Sequence, residues 1–172
     1  IPVLEDLAKK YGFELLLVPV PPPGVDQQAQ WLRVRQEKPD FALLWAAGVM
    51  VPTAIKTAAK VGYPRDKVIG IHWSGSEEDV IPAGDAAKTY ISATFSATGS
   101  NFPIVQDVIK HVYKKNKGSL DDKSRIGTVY WNRGLIGGMV TVEAIRIAQE
   151  KYGKGKPVTG EDVTASLARW GK

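Results

Sequence analysis

Residues 26–62 read DQQAQWLRVRQEKP, then DFALLWA, then AGVMVPTAIKTAAKVG, and this succession decides the fold. The first segment, Asp26 to Pro39, is polar with helical spacing; Asp26 sits where a helix cap belongs, and Lys38-Pro39 stops the helix before the next element. The second, 41–46, is a short apolar run. The third places Pro52 in the first turn of a helix, carries Ile55, Ala58 and Ala59 on one face, and closes at Val61-Gly62. Short apolar runs bounded by Pro or Gly and separated by helical segments predict strands buried on both faces of a parallel sheet built from βαβ units. In open parallel α/β sheets ligands sit beyond the carboxyl ends of the strands. The first place to look for a site is therefore Trp45, Ala46, Ala47 and Gly48.

The same alternation extends outward. Val3, Leu4, Leu7, Ala8 and Tyr11 form an amphipathic helix closed by Gly12; it opens without a cap or a preceding strand, the mark of a fragment, and no signal peptide is readable there. Residues 13–20 predict a strand with Pro19 at its end or on an edge, and Pro21-Pro22-Pro23-Gly24 a stiff connector. Further strands are predicted at 68–73 and 89–95, with a short helical piece near 79–83 between them. Pro103 opens a helix whose stripe is Ile104, Val105, Val108, Ile109, Val112 and Tyr113. A long helix follows from about Gly134 to Tyr152; its apolar residues lie on most faces, which predicts packing between layers or domains. Thr159-Gly-Glu-Asp162 starts a final piece ending at Lys172. The expected class is α/β: three layers, doubly wound, with a mainly parallel sheet.

Composition narrows the function. A chain of 172 residues, 44% hydrophobic and 24% charged, suits one domain or one lobe with an appended element. No apolar run approaches the roughly 20 residues of a membrane span. The net charge of +5 is spread along the chain apart from Lys110, Lys114, Lys115 and Lys117, a cluster at a helix end that reads as a solvated face opposing the helix dipole, with an acidic docking surface or nucleic acid as the other reading. There is no cysteine, which removes disulfides and thiolate chemistry. His72 with Glu77, Glu78 and Asp79 matches no metal-ligand spacing, and His111 among lysines reads as solvent-facing. The run Arg133 to Gly138 lacks the Gly-Lys-Ser/Thr ending of a phosphate loop, and no Gly-x-Ser-x-Gly elbow occurs. No catalytic residue, metal or cofactor is expected, and no enzyme activity.

Four segments carry a resemblance: Pro39-Asp40-Phe41-Ala-Leu-Leu-Trp45, Ile55-Lys-Thr-Ala-Ala-Lys-Val-Gly62, Val68-Ile-Gly-Ile-His-Trp73, and Ala83-Gly-Asp-Ala-Ala-Lys-Thr-Tyr-Ile91. Asn101-Phe-Pro-Ile-Val105, a helix, and then Tyr130 to Ala148 continue it. In pattern and order the chain resembles the second lobe of the type I periplasmic substrate-binding proteins of the branched-chain amino acid transporter family, up to about residue 163; the stretch Thr164 to Lys172 matches no pattern of the family. The resemblance implies a two-lobed, flytrap-like receptor that delivers a small-molecule solute to an ABC permease, periplasmic or, in a Gram-positive source, lipid-anchored. Residues 1–130 would be its ligand-binding lobe. Residues 131–172 would be a crossover helix and tail packing on an N-terminal lobe that this chain lacks. Amino-acid-binding members commonly place a polar aromatic residue after the second of these strands and an acidic residue after the third. Ala47 occupies the first place, and the second does not align within Trp73 to Glu77, so the resemblance points away from an ordinary α-amino acid.

Trp45 and Trp73 each end a strand on the edge where ligands enter, and indole faces suit an apolar or aromatic ligand body. Lobe-to-lobe packing or plain core would use the same residues. Ser74, Gly75 and Ser76 offer hydroxyls and backbone N–H groups for a carboxylate or carbonyl, and equally make a turn. Glu77 is the group that would pair with an ammonium and restore an amino acid ligand. The expected solute is a small organic acid or amide with an apolar or aromatic body. The alternative class is a ligand-sensing or signalling domain of the same bilobed fold; a phosphoacceptor switch would need an acidic cluster after the first strand and a later lysine, which these strands do not supply.

Overall fold

The computed structural model describes residues 1–168. The chain divides into two compact units, Ile1–Phe95 and Ser96–Lys172.

The first unit is built on a three-stranded parallel sheet in the order β1 (Ala42–Leu44), β2 (Val68–Gly70), β3 (Ile91–Ser92). The register pairs Ala42 with Val68 and Leu44 with Gly70, and Ile69 with Ile91. Side chains alternate across a strand, so Ala42, Leu44 and Val68 share one face and Leu43, Ile69 and Ile91 the other. Helices α2 (Gln28–Glu37) and α3 (Met50–Lys60) cover the first face, where Trp31, Val34, Ala54, Ala58, Tyr63 and Val68 form the core. The sequence predicts burial on both faces. Leu43 and Ile91 are instead exposed, because the helices linking β1 and its neighbours lie together on the other side.

Helix α1 (Pro2–Tyr11) ends at Gly12, whose φ of 71° is the left-handed cap that glycine adopts without strain. Asp26 Oδ1 accepts from the Gln28 amide at 3.2 Å, but the cap position belongs to Gln27. The fully buried Gln27 amide does more: Nε2 donates to Gly24 O (2.8 Å) and Met50 O (2.9 Å), and Oε1 accepts from Trp31 Nε1 (3.2 Å). One polar side chain thus joins the proline-rich connector to the starts of two helices.

The strand expected at 13–20 is absent from the sheet. Pro19 and Pro21 have no N–H to give a ladder, and only Val18 of this extended run packs on the core. The other strands are shorter than their apolar runs. After Gly70 the chain turns, with Ser74 N donating to Ile71 O at 2.8 Å. The helical piece expected near 79–83 begins earlier, as α4 (Glu77–Val80), because Ser76 caps it; a 3-10 segment, Ile81–Ala87, follows.

The second unit is helical: α5 (Pro103–His111), α6 (Val129–Tyr152) and α7 (Gly160–Leu167). Of the predicted α5 stripe only Val105 is fully buried. Helix α6 starts before Gly134 because Thr128 caps it, accepting from Trp131 N. It buries Ala144 and Ala148 and packs along α7, whose Thr159–Asp162 capping box is tied back to α6 by Tyr152 Oη donating to Asp162 Oδ1 at 2.7 Å. The predicted end of the last helix at Lys172 lies outside the described residues. His111 and the four clustered lysines are exposed, as expected.

Candidate functional site

The loops leaving β1 and β2 lie side by side because their strands are hydrogen-bonded neighbours, and Ile71 N still donates to Leu44 O at 3.2 Å just beyond the strand ends. At this edge the two tryptophans point outward: Trp45 is 63% exposed and Trp73 50%. Ala47 and Gly48 are exposed between Trp45 and α3, and Gly48 adopts a φ of 59° as the chain turns into the helix. Ala46 is buried against Val51, Ile55 and Ala83.

Ser74 and Ser76 are both fully buried, and their hydroxyls are already engaged. Ser74 Oγ donates its one proton to Ala46 O at 2.6 Å, with Leu44 O within reach at 3.0 Å, and it accepts from Ala46 N at 3.3 Å. The hydroxyl therefore staples the β1 loop to the β2 loop. Ser76 Oγ accepts from Asp79 N at 3.3 Å and starts α4, which carries the half-buried Glu77 in its first turn. Gly75 lies tight against β3: a Cβ there would stand 1.7 Å from Ser92 Oγ. Tyr90 Oη donates to Ser74 O at 2.8 Å, and burial pushes the Tyr90 phenol well above its ordinary value. Burial, with Asp40 and Asp66 nearby, also raises Tyr63.

The apolar run at 89–95 hides a further member of this edge. Ala93 N donates to Gly70 O at 2.9 Å, prolonging the β3 pairing, and two residues on Phe95 is 74% exposed. His72 lies between it and Trp73, with ring centroids 5.2 Å from Phe95 and 5.0 Å from Trp73 and interplanar angles of 54° and 59°. All three strands thus end in an exposed aromatic ring. Its signal in the sequence is the aromatic that closes the last apolar run, a pattern that by itself predicts only a strand. Trp45, Trp73 and Phe95 offer apolar area on a frame held by backbone hydrogen bonds, which suits binding. Among the described residues no group of three His, Asp or Glu is placed to hold a metal ion.

A parallel α/β unit with its adaptable surface at the carboxyl ends of the strands is the lobe architecture of periplasmic binding proteins. The model of the periplasmic binding protein family matches residues 2–170, and the chain belongs to that family. Among solved structures it is similar to one described as an ABC transporter permease from the Pseudomonas fluorescens group, with 45% identity and a TM-score of 0.84 over 95% of this chain. A branched-chain amino acid ABC transporter from Thermus thermophilus with bound valine shares the fold at 23% identity and a TM-score of 0.73 over 94% of the chain. A substrate-binding ABC transporter protein from Aeropyrum pernix does so at 13% identity and a TM-score of 0.66 over 96%. The chain spans 39%, 41% and 42% of the lengths of these three structures. No curated protein matches it. Among the described residues no helix is long and apolar enough to cross a membrane.

Proposed function

We propose that this chain is the ligand-binding lobe of a solute-binding component of an ABC transporter, working in the periplasm or lipid-anchored outside the cell and handing its solute to a permease. Membership of the periplasmic binding protein family across residues 2–170 is the observation that carries this reading. The solute is a small organic acid, amide or amino-acid-like molecule enclosed between two lobes. Residues 1–130 hold it, and residues 131–172 supply the crossover helix and tail. Trp45, Ala47, Gly48, Trp73 and Glu77 face the solute, while Ala46, Ser74, Gly75 and Ser76 fix the shape of the loops. The protein binds and releases; it does not catalyse.

Native mass spectrometry of the intact protein as purified, followed by calorimetry with the solute it carries, tests the reading. A retained small acid or amide whose affinity falls on Trp45→Ala and Trp73→Ala supports it. Tight binding untouched by both substitutions refutes it.

A further inference from the structure

The geometry points to Phe95 and His72 as specificity residues that select a solute with a planar aromatic ring over an aliphatic one of the same charge, an inference that rests on the solute-binding reading above. Three hydrogen-bonded parallel strands lie side by side, and neighbouring strands are about 4.8 Å apart. Each ends in an exposed aromatic side chain: Trp45 beyond β1, Trp73 beyond β2 and Phe95 beyond β3. Water-facing aromatic rings at the end of every strand are costly unless something covers them.

His72 distinguishes this edge from a merely greasy one. Its imidazole stands tilted between Trp73 and Phe95, near 5 Å from each, within the range at which ring edges meet ring faces. It touches the rings that follow the central and third strands and braces them against each other. A flat π-bonded ring can add to such an array by stacking or edge-to-face contact, whereas a puckered aliphatic ring of similar size gains only area. A quaternary ammonium would also be drawn to aromatic faces. The imidazole packed on both rings favours the neutral ring.

The test uses the intact receptor freed of its solute, with benzoate, phenylacetate, cyclohexanecarboxylate and trimethylglycine as probes in calorimetry. Benzoate or phenylacetate should bind more tightly than cyclohexanecarboxylate by about threefold to tenfold, the range that ring–ring contact adds beyond area. Phe95→Leu, which keeps apolar bulk, and His72→Ala should each erase that ratio, weakening the aromatic acids about threefold to tenfold more than cyclohexanecarboxylate. Circular dichroism and the unfolding midpoint confirm that each variant is folded. A preference for trimethylglycine, no binding by either aromatic acid, or a ratio unchanged in both variants overturns the inference. The solute-binding reading fails separately, when the co-purified solute binds Trp45→Ala and Trp73→Ala as tightly as the unaltered protein.

Discussion

Replacing Ser74 by alanine removes one hydroxyl and leaves the rest of the turn in place, so it isolates the staple between the two loops. Two groups of Ala46 lose a partner: its N–H, 3.3 Å from Ser74 Oγ, and its carbonyl, at 2.6 Å. Leu44 O keeps the amide of Ile71. A buried polar group left without a hydrogen bond costs about 1–3 kcal/mol; taking the low end for the long N–H contact and about 2 for the short one gives about 3 kcal/mol. Each 1.4 kcal/mol is tenfold, so the Ala46 amide should exchange with deuterium about 100-fold faster in Ser74→Ala than in the unaltered protein. Hydrogen exchange resolved by NMR or mass spectrometry measures this, with exposed Ser119→Ala as the control. A change smaller than about threefold at Ala46 would show that the hydroxyl does not hold the loop, and the reasoning that assigns Ser74 to shape would fall.

Other outcomes follow from the same frame. Gly75→Ala should lower stability by about 1–3 kcal/mol because the new Cβ meets Ser92, and adding Ser92→Gly should recover most of it; urea titration of the two variants decides, and a tolerated Gly75→Ala refutes the close approach. Tyr90 is raised above its ordinary value of 10.0, so the folded protein keeps a proton that the unfolded chain releases. Its contribution to stability is full below that pH and declines as the pH climbs toward the folded value, and Tyr90→Phe should flatten the alkaline loss measured by urea titration at successive pH values. Asp162 shifts the opposite way, from 3.8 to about 2, held down first by the Tyr152 hydroxyl and then by Thr159. The α7 cap should therefore hold above pH 3.8 and weaken as the pH falls through about 2; Asp162→Asn should fray the first turn at neutral pH, and unchanged exchange of α7 amides would contradict this.

The α/β class and the parallel order were legible because Pro, Gly and short apolar runs punctuate the chain at βαβ intervals, and α3 with Pro52 and Gly62 behaves as its end signals say. Residues 13–20 misled. They have the composition of a strand, but pairing needs backbone donors at matching positions, and prolines at 19 and 21 withhold them. The exposure of one face of β1 was equally out of reach, since alternation along Ala42, Leu43 and Leu44 cannot show that both neighbouring helices choose one side. At the site, the tryptophans were found because aromatic residues directly after apolar runs mark strand ends. The engaged state of Ser74 was hidden: its partners are 28 and 30 residues away, and only the pairing of β1 with β2 brings them together. Phe95 was hidden by the opposite error, the strand ending sooner than its apolar composition.

The central claim is that the carboxyl edge of this sheet, led by Trp45 and Trp73, holds a solute. The most direct measurement is the calorimetric affinity of the intact protein and its Trp45→Ala and Trp73→Ala variants for the solute that copurifies with it. Losing an indole face that covers a ligand removes about 1.5–3 kcal/mol, so each variant should bind about tenfold to a hundredfold more weakly while unfolding at a midpoint close to that of the unaltered protein. Affinity unchanged in both folded variants would contradict the claim and move the binding site away from this edge.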